Sequence, residues 1–248
     1  MKLKVITTVF FSGLLLMGCQ SNQITSSIGA AGSLVKGATI SKEDLVASAR
    51  LSAKEMDKDA KVASSNSKYA KRLNRLTKDL RNYDGMKLNY KVYISKEVNA
   101  FAMPDGTVRV YSGLMDMMND EELLAVIGHE IGHVALEHSL KQYRKQYLTN
   151  AARLGLSASG EKGAAVTGAF GDLGEAFVNA QFSQSDELKA DVYGVHVLKK
   201  IHKSPYASVE AQKKLQKLGS SGGLLSSHPS SEKRIANATK EADKVSGK

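Results

Sequence analysis

Beyond residue 40 the apolar positions change period several times, and each change marks an element. Ser41 with Asp44 forms a capping box that opens a helix running to about Lys61. Tyr69, Leu73, Leu76 and Leu80 then fall at i, i+4, i+7 and i+11, one apolar stripe opposite Lys68, Lys71, Arg72, Arg75, Lys78 and Arg81. At Leu88, Tyr90, Val92 and Ile94 the period drops to two. A further extended run, Ala100 to Met103, is joined by the turn Pro104-Asp105-Gly106 to a third, Thr107 to Tyr111. These runs predict a small antiparallel sheet. Asn119 and Glu122 make a second capping box, opening a helix that turns Leu123, Leu124, Val126, Ile127 and Ile131 inward. Another helix begins near Glu187, and the tail from Ser204 to Lys248 reads as two more, separated by Gly219 to Gly223. The whole predicts a mostly helical α+β domain over residues 41–248.

The segment before it has a different character. Lys2 and Lys4 precede an apolar run from Val5 to Leu16, the pattern of a secretory signal over residues 1–18 rather than of a membrane span. The run ends Leu16-Met17-Gly18-Cys19, which resembles the lipobox of bacterial lipoproteins. That resemblance implies cleavage before Cys19, a diacylglyceryl group on its thiol, and a multiply acylated residue with palmitate among its chains. By the rule for such lipoproteins, Gln20 after the cysteine directs the product to the outer membrane, with the domain facing the periplasm. Residues 19–40 are rich in Ser, Gly and Ala and are expected to form a flexible tether.

Composition narrows the chemistry. A chain of 248 residues with 42% hydrophobic residues can bury a real core, which excludes a disordered or fibrous protein. Only 3 Pro, 6% aromatic residues and no Trp argue against a β-rich barrel. The single Cys excludes a disulfide framework and any Cys-based zinc ribbon, leaving histidines and carboxylates as metal ligands. The net charge of +10 is spread over helices rather than gathered on a recognition fold. A solvated face that also favours anionic lipid accounts for it, and no nucleic-acid partner is expected.

His129-Glu130-Ile131-Gly132-His133 is an H-E-x-x-H string inside the capped helix. A helix stacks residues four apart one turn above each other, so both imidazoles can face one Zn²⁺ while Glu130 lies beside it. An open catalytic zinc needs a third protein ligand. A histidine at the spacing of the metzincin extension would fall at residue 139, where Ser139 stands, so a carboxylate is expected. Glu187 and Asp191, four apart on a later helix, share a face: Glu187 can bind the metal while Asp191 accepts a hydrogen bond from a ligand histidine.

Several separated strings, read together, resemble a known family. Asn99-Ala100-Phe101-Ala102, Tyr111-Ser112-Gly113-Leu114-Met115, Gly128 to Val134, Glu187 with Ala190-Asp191, and His228-Pro229 followed by Arg234 look like the HtpX-like and Oma-like gluzincins, metallopeptidase family forty-eight. The likeness runs from about residue 41 to the C-terminal helix. It implies one Zn²⁺ per chain held by His129, His133 and Glu187, with Glu130 as general base and Asp191 as partner to a ligand. It also implies that His228 stabilises the oxyanion or occupies the fourth zinc position at rest, accompanied by Arg234. In related gluzincins the substrate adds as a strand, so Asn99, Ala100, Phe101, Ala102 and Met103 are the expected binding ledge.

The implied function is a zinc metalloendopeptidase acting on unfolded or misassembled envelope proteins, with the outer-membrane assembly machinery as an expected partner. The rival is a non-proteolytic client-binding or scaffold lipoprotein of the same fold that keeps its zinc for stability. Two readings stay open for residues 154–175, where six glycines punctuate the chain: a segment over the cleft, or two helices packed through small residues. His138, His196 and His202 match no ligand position and are expected to be ordinary helix residues.

Overall fold

The computed structural model describes residues 41–156, 180–218, 223–229 and 231–248. The signal, lipidation and tether assignments lie outside the described residues, as does all of the glycine-rich stretch beyond residue 156. Both capping boxes form as expected. Ser41 and Asp44 bond reciprocally at the start of α1 (Lys42–Asp59), and Asn119 and Glu122 do so at the start of α4 (Asp120–Ala135). The basic helix α2 (Lys68–Leu76) is capped by Ser67, and a 3₁₀ turn at Lys78–Leu80 continues the stripe, burying Leu73 and Leu80.

A short hairpin, β1 (Asn82–Tyr83) and β2 (Met86–Lys87), precedes the main sheet. That sheet has three strands, β3 (Asn89–Tyr93), β4 (Ala100–Ala102) and β5 (Thr107–Tyr111), in the order β3-β5-β4. The β4–β5 hairpin is antiparallel, as its turn requires, but β3 pairs with β5 in parallel, Asn89 opposite Thr107 and Tyr93 opposite Tyr111. The sheet is therefore mixed rather than wholly antiparallel. Residues 94–99 cross from β3 to the far edge, so that β5 becomes the central strand.

Alternation sends the side chains of this sheet to two different layers. Val92, Ala100, Ala102, Val108 and Val110 pack with α2 and α4, while Tyr93, Phe101 and Met103 pack with α1 and the start of α5 (His138–Leu156). Arg109 of β5 is buried on this second face and closes onto Asp57 of α1 with Nε–Oδ1 at 2.8 Å and Nη2–Oδ2 at 2.9 Å. Lys91 and Tyr93 reach the same carboxylate at 2.7 and 2.8 Å. After the short helix α3 (Ser112–Met117), α4 runs through the centre of the molecule, and every residue from Glu122 to His133 is buried.

The remaining helices wrap α4: α6 (Gln184–Lys200), α7 (Ala207–Gln216), the single turn α8 (Leu224–Ser227) and α9 (Glu232–Ser246). The α4–α6 contact is closest. A Cβ on Gly128 would come within 3.2 Å of Gly194 Cα, and one on Gly132 within 3.2 Å of Ala190 Cα. These pairings run in opposite directions along the two helices, so α4 and α6 are antiparallel. No helix among the described residues is long and apolar enough to cross a membrane.

Candidate active site

The antiparallel α4–α6 contact decides which side chains meet. With Gly128 against Gly194 and Gly132 against Ala190, the four-residue spacing of His129 and His133 on α4 matches that of Asp191 and Glu187 on α6. Small residues at the crossing let the backbones approach closely enough for carboxylates to reach imidazoles. His129 Nδ1 stands 2.9 Å from Asp191 Oδ1, and His133 Nε2 stands 3.3 Å from Glu187 Oε1.

A third histidine enters from the C-terminal part of the chain. His228 follows α8, and its Nδ1 lies 2.9 Å from Glu187 Oε1 and 3.3 Å from His129 Nε2. The two helical histidines turn their Nε2 atoms toward each other at 3.0 Å. His129, His133, Glu187 and His228 are all buried, and their ligand atoms lie within 4.8 Å of one another. Each helical histidine engages its other nitrogen elsewhere, so lone pairs converge on one point inside the protein. Only a cation or protons make that arrangement favourable, and imidazole nitrogens with a carboxylate are the donor set zinc takes. The residues present therefore fit a zinc ion.

Arg234, 5% exposed, ties the cluster together from α9. Its Nε and Nη2 grip Asp191 Oδ2 and Oδ1 at 2.8 and 2.7 Å, and Nη1 lies 3.2 Å from the carbonyl oxygens of His228 and Pro229. Nη1 also stands 2.8 Å from Glu187 Oε2, off the line of a hydrogen bond, so this contact is an ion pair only. Gln212 of α7 donates to Asp191 Oδ1 at 3.1 Å.

These contacts set the charges of the metal-free chain. Burial opposes charge on His129, but its hydrogen bonds with Asp191 and Glu187 outweigh that and raise its pKa to about 9. Burial also pushes Glu187 upward, yet the His228 charge and the bonds from three imidazoles prevail and hold it well below the usual carboxylate range. At Asp191 burial is likewise overcome, by the Arg234 and His129 hydrogen bonds. His133 is driven far below its ordinary value by burial. Glu130, 3% exposed, is raised by burial; its Oε1 has no hydrogen-bond partner among the described residues and faces His228 Nε2 at 3.6 Å.

The structure thus brings together Glu130, His129, His133, Glu187, Asp191, His228 and Arg234. Of the expected ledge, Ala100 to Ala102 form β4, an edge of the sheet that packs on α4, and Asn99 and Met103 flank it. Two neighbours of the cluster escape a reading of the sequence. His138 is 1% exposed and its Nδ1 is 3.0 Å from His133 Nδ1, so it is not an ordinary helix residue. Phe182 stacks on His133 with ring centres 3.9 Å apart. By contrast His196 pairs at the surface with Glu241, and His202 is exposed just past α6. A larger groove of about 620 Å³, lined by Tyr83, Leu136, Leu188, Val192 and Tyr193, opens on a different face of α6 and holds none of the metal-binding atoms.

An H-E-x-x-H helix crossed by a helix that delivers a buried glutamate is the architecture of a zinc metallopeptidase. The chain belongs to peptidase family M48, whose profile matches residues 65–242. It is similar to Metalloprotease LoiP of Escherichia coli, 40% identical over 238 residues that cover 94% of each chain. Metalloprotease YcaL of the same species is 41% identical over 238 residues, covering 93% of this chain and 94% of that one. The Beta-barrel assembly-enhancing protease of Escherichia coli is 33% identical over 163 residues, 60% of this chain and 33% of that protein. The chain is a zinc metalloendopeptidase.

Proposed function

We propose that His129, His133 and Glu187 hold the catalytic zinc, that Glu130 is the general base, and that the substrate is an extended segment of an unfolded or misassembled envelope protein. Zinc, when bound, supplies Lewis acidity that makes a water molecule acidic near neutral pH and polarises the scissile carbonyl. Glu130 takes the proton of that water and returns it to the leaving amine. The buried Oε1 of Glu130, without a hydrogen-bond partner among the described residues, carries this assignment: a buried carboxylate oxygen beside the donor set, with burial raising its proton affinity, suits a group that must both accept and give a proton.

Main-chain geometry favours β4 as the ledge. The bonds Met103 N to Thr107 O and Tyr111 N to Asn99 O at 2.8 and 3.0 Å direct the intervening Ala100 and Ala102 peptide groups away from β5. The N–H of Ala100 is met by Asn99 Oδ1 at 2.9 Å. The outward groups of Ala102 and the carbonyl of Ala100 can pair with an added strand, giving affinity with little demand on sequence. That suits clients defined by being unfolded.

His228 is the group that governs access. With Nδ1 directed among the other donors it would serve as a fourth ligand at rest, and would have to move aside for water and substrate to enter. A scaffold with purely structural zinc is the second reading, favoured by the same four buried donors. Cleavage of unfolded casein with zinc quantified separates the two: the enzyme shows one zinc per chain and loses activity roughly 10²–10⁴-fold in Glu130→Gln with zinc retained. Full zinc with no cleavage by either wild type or His228→Ala supports the scaffold.

Placement at the outer membrane rests on the Leu16-Met17-Gly18-Cys19 string and on the likeness to an assembly-enhancing protease. Palmitate labelling in cells, lost in Cys19→Ser, is the expected result; equal labelling of both chains excludes the anchor.

A further inference from the structure

The zinc-site reading gives His129 a fixed partner in Asp191, and the structure holds a counterpart for His133. His133 is 1% exposed and presents Nε2 to the other donors, so the proton of its neutral ring belongs on Nδ1. Among the described residues that nitrogen faces Nδ1 of His138, at 3.0 Å. His138 is itself 1% exposed, and its second nitrogen, Nε2, stands 3.3 Å from Asp186 Oδ1 without the alignment of a full hydrogen bond. Asp186 is held in turn by Ser183, whose hydroxyl donates to Oδ2 at 2.7 Å and caps α6.

The approach of His138 depends on a break in the helix. Residues five apart on a continuous helix point in different directions. Here α4 ends at Ala135, Glu137 turns into the left-handed region at φ 55°, and α5 starts at His138. This reversal carries the His138 ring back to the Nδ1 side of His133. An exposed ion pair from Lys42 to Glu137 at 2.8 Å lies on the same turn.

We propose that His138 is a positioning residue for the metal site: its Nδ1 accepts the Nδ1 proton of His133 and so fixes the tautomer and ring orientation that direct His133 Nε2 at zinc. His138 then carries its own proton on Nε2, facing Asp186, which completes a chain Asp186–His138–His133. It would back the second helical histidine as Arg234–Asp191 backs His129. Ligand histidines require such partners, and removing one weakens metal binding about 10–100-fold.

The inference rests on His133 being a ligand, so the test separates the two claims. Zinc affinity of the full chain in detergent is measured against a chromogenic chelator for wild type, His133→Ala, His138→Leu and His138→Asn. The proposal expects roughly 10–100-fold weaker zinc in His138→Leu, and recovery to near wild type in His138→Asn, whose Oδ1 can stand in for the acceptor. Failure of wild type to bind zinc, or unchanged binding in His133→Ala, overturns the ligand reading itself. Wild-type affinity in a folded His138→Leu, or equal losses in the Leu and Asn variants, overturns only the role of His138. Should His138→Leu not fold, ¹⁵N shifts of the zinc-loaded wild-type imidazoles decide. His138 must show Nδ1 bare and Nε2 protonated, and the opposite tautomer rejects the proposal.

Discussion

His129 Nδ1 and Asp191 Oδ1 lie 2.9 Å apart, and the same carboxylate is gripped at both oxygens by the buried Arg234. One side chain therefore orients the proposed zinc ligand and neutralises a buried guanidinium. The two duties differ in what their loss does. Asp191→Asn keeps an acceptor for His129 but removes the negative charge, so zinc binding is expected to weaken about 10–100-fold. Asp191→Ala removes both carboxylate hydrogen bonds of Arg234 and leaves it only the ion pair with Glu187, at a cost of about 3–5 kcal/mol and a thermal midpoint lower by roughly 10 °C. Calorimetry of both variants with and without zinc checks this; a midpoint for Asp191→Ala within about 2 °C of wild type rejects the shared role.

The crossing of α4 and α6 sets the width of the site. A Cβ at Gly194 would lie 3.1 Å from His129 N and 3.4 Å from Ala125 O, both backbone atoms that cannot swing aside. Gly194→Ala is expected to push the helices apart, destabilising the domain by about 1–3 kcal/mol. The shift moves Glu187 and Asp191 away from the histidines, so zinc affinity falls in the same variant. Urea unfolding with a zinc titration measures both; loss of stability without loss of zinc would show that the site adapts to the separation.

Zinc removal should itself be visible in stability. A ligand present at about 1,000 times its dissociation constant stabilises the folded state by roughly 4 kcal/mol, so a chelator is expected to lower the thermal midpoint by roughly 10 °C. Glu130→Gln should show the same zinc-dependent shift, because Glu130 is not assigned as a ligand. His133→Ala should show a much smaller one. A shift lost in Glu130→Gln would move Glu130 from base to ligand.

Elements whose signals are local were legible in the sequence, and contacts made across the chain were not. Both capping boxes and the Pro104–Gly106 turn declare themselves within a few residues, and each forms as expected. The H-E-x-x-H spacing needs only a helix. The pairing of Asn89–Tyr93 with Thr107–Tyr111 in parallel depends instead on the route of residues 94–99, which carries no periodic signal. His138 was hidden for a related reason. Its relation to His133 exists only because Glu137 takes a left-handed conformation, and nothing in the composition of that turn announces it. Phe182 lies far along the chain from the ring it covers.

The Asp57–Arg109 pair offers a test at acid pH. Burial favours the neutral form of Asp57, but hydrogen bonds from Arg109, Lys91 and Tyr93, with the Arg109 charge, outweigh it and lower its pKa below the ordinary 3.8. A carboxyl depressed in the folded state contributes stability that is complete above its unfolded value, and that contribution fades as pH falls through the folded one. Wild type is therefore expected to exceed Asp57→Asn by a constant margin above about pH 5, on the order of 2 kcal/mol for hydrogen bonds to a charged group. Below about pH 4 the margin should shrink, because the unfolded chain takes up its Asp57 proton before the folded one does. Urea midpoints from pH 3 to 7 measure it. A margin unchanged down to pH 3 would mean that the folded and unfolded chains hold the Asp57 proton equally, and either that or a margin that grows as pH falls would contradict the lowered pKa.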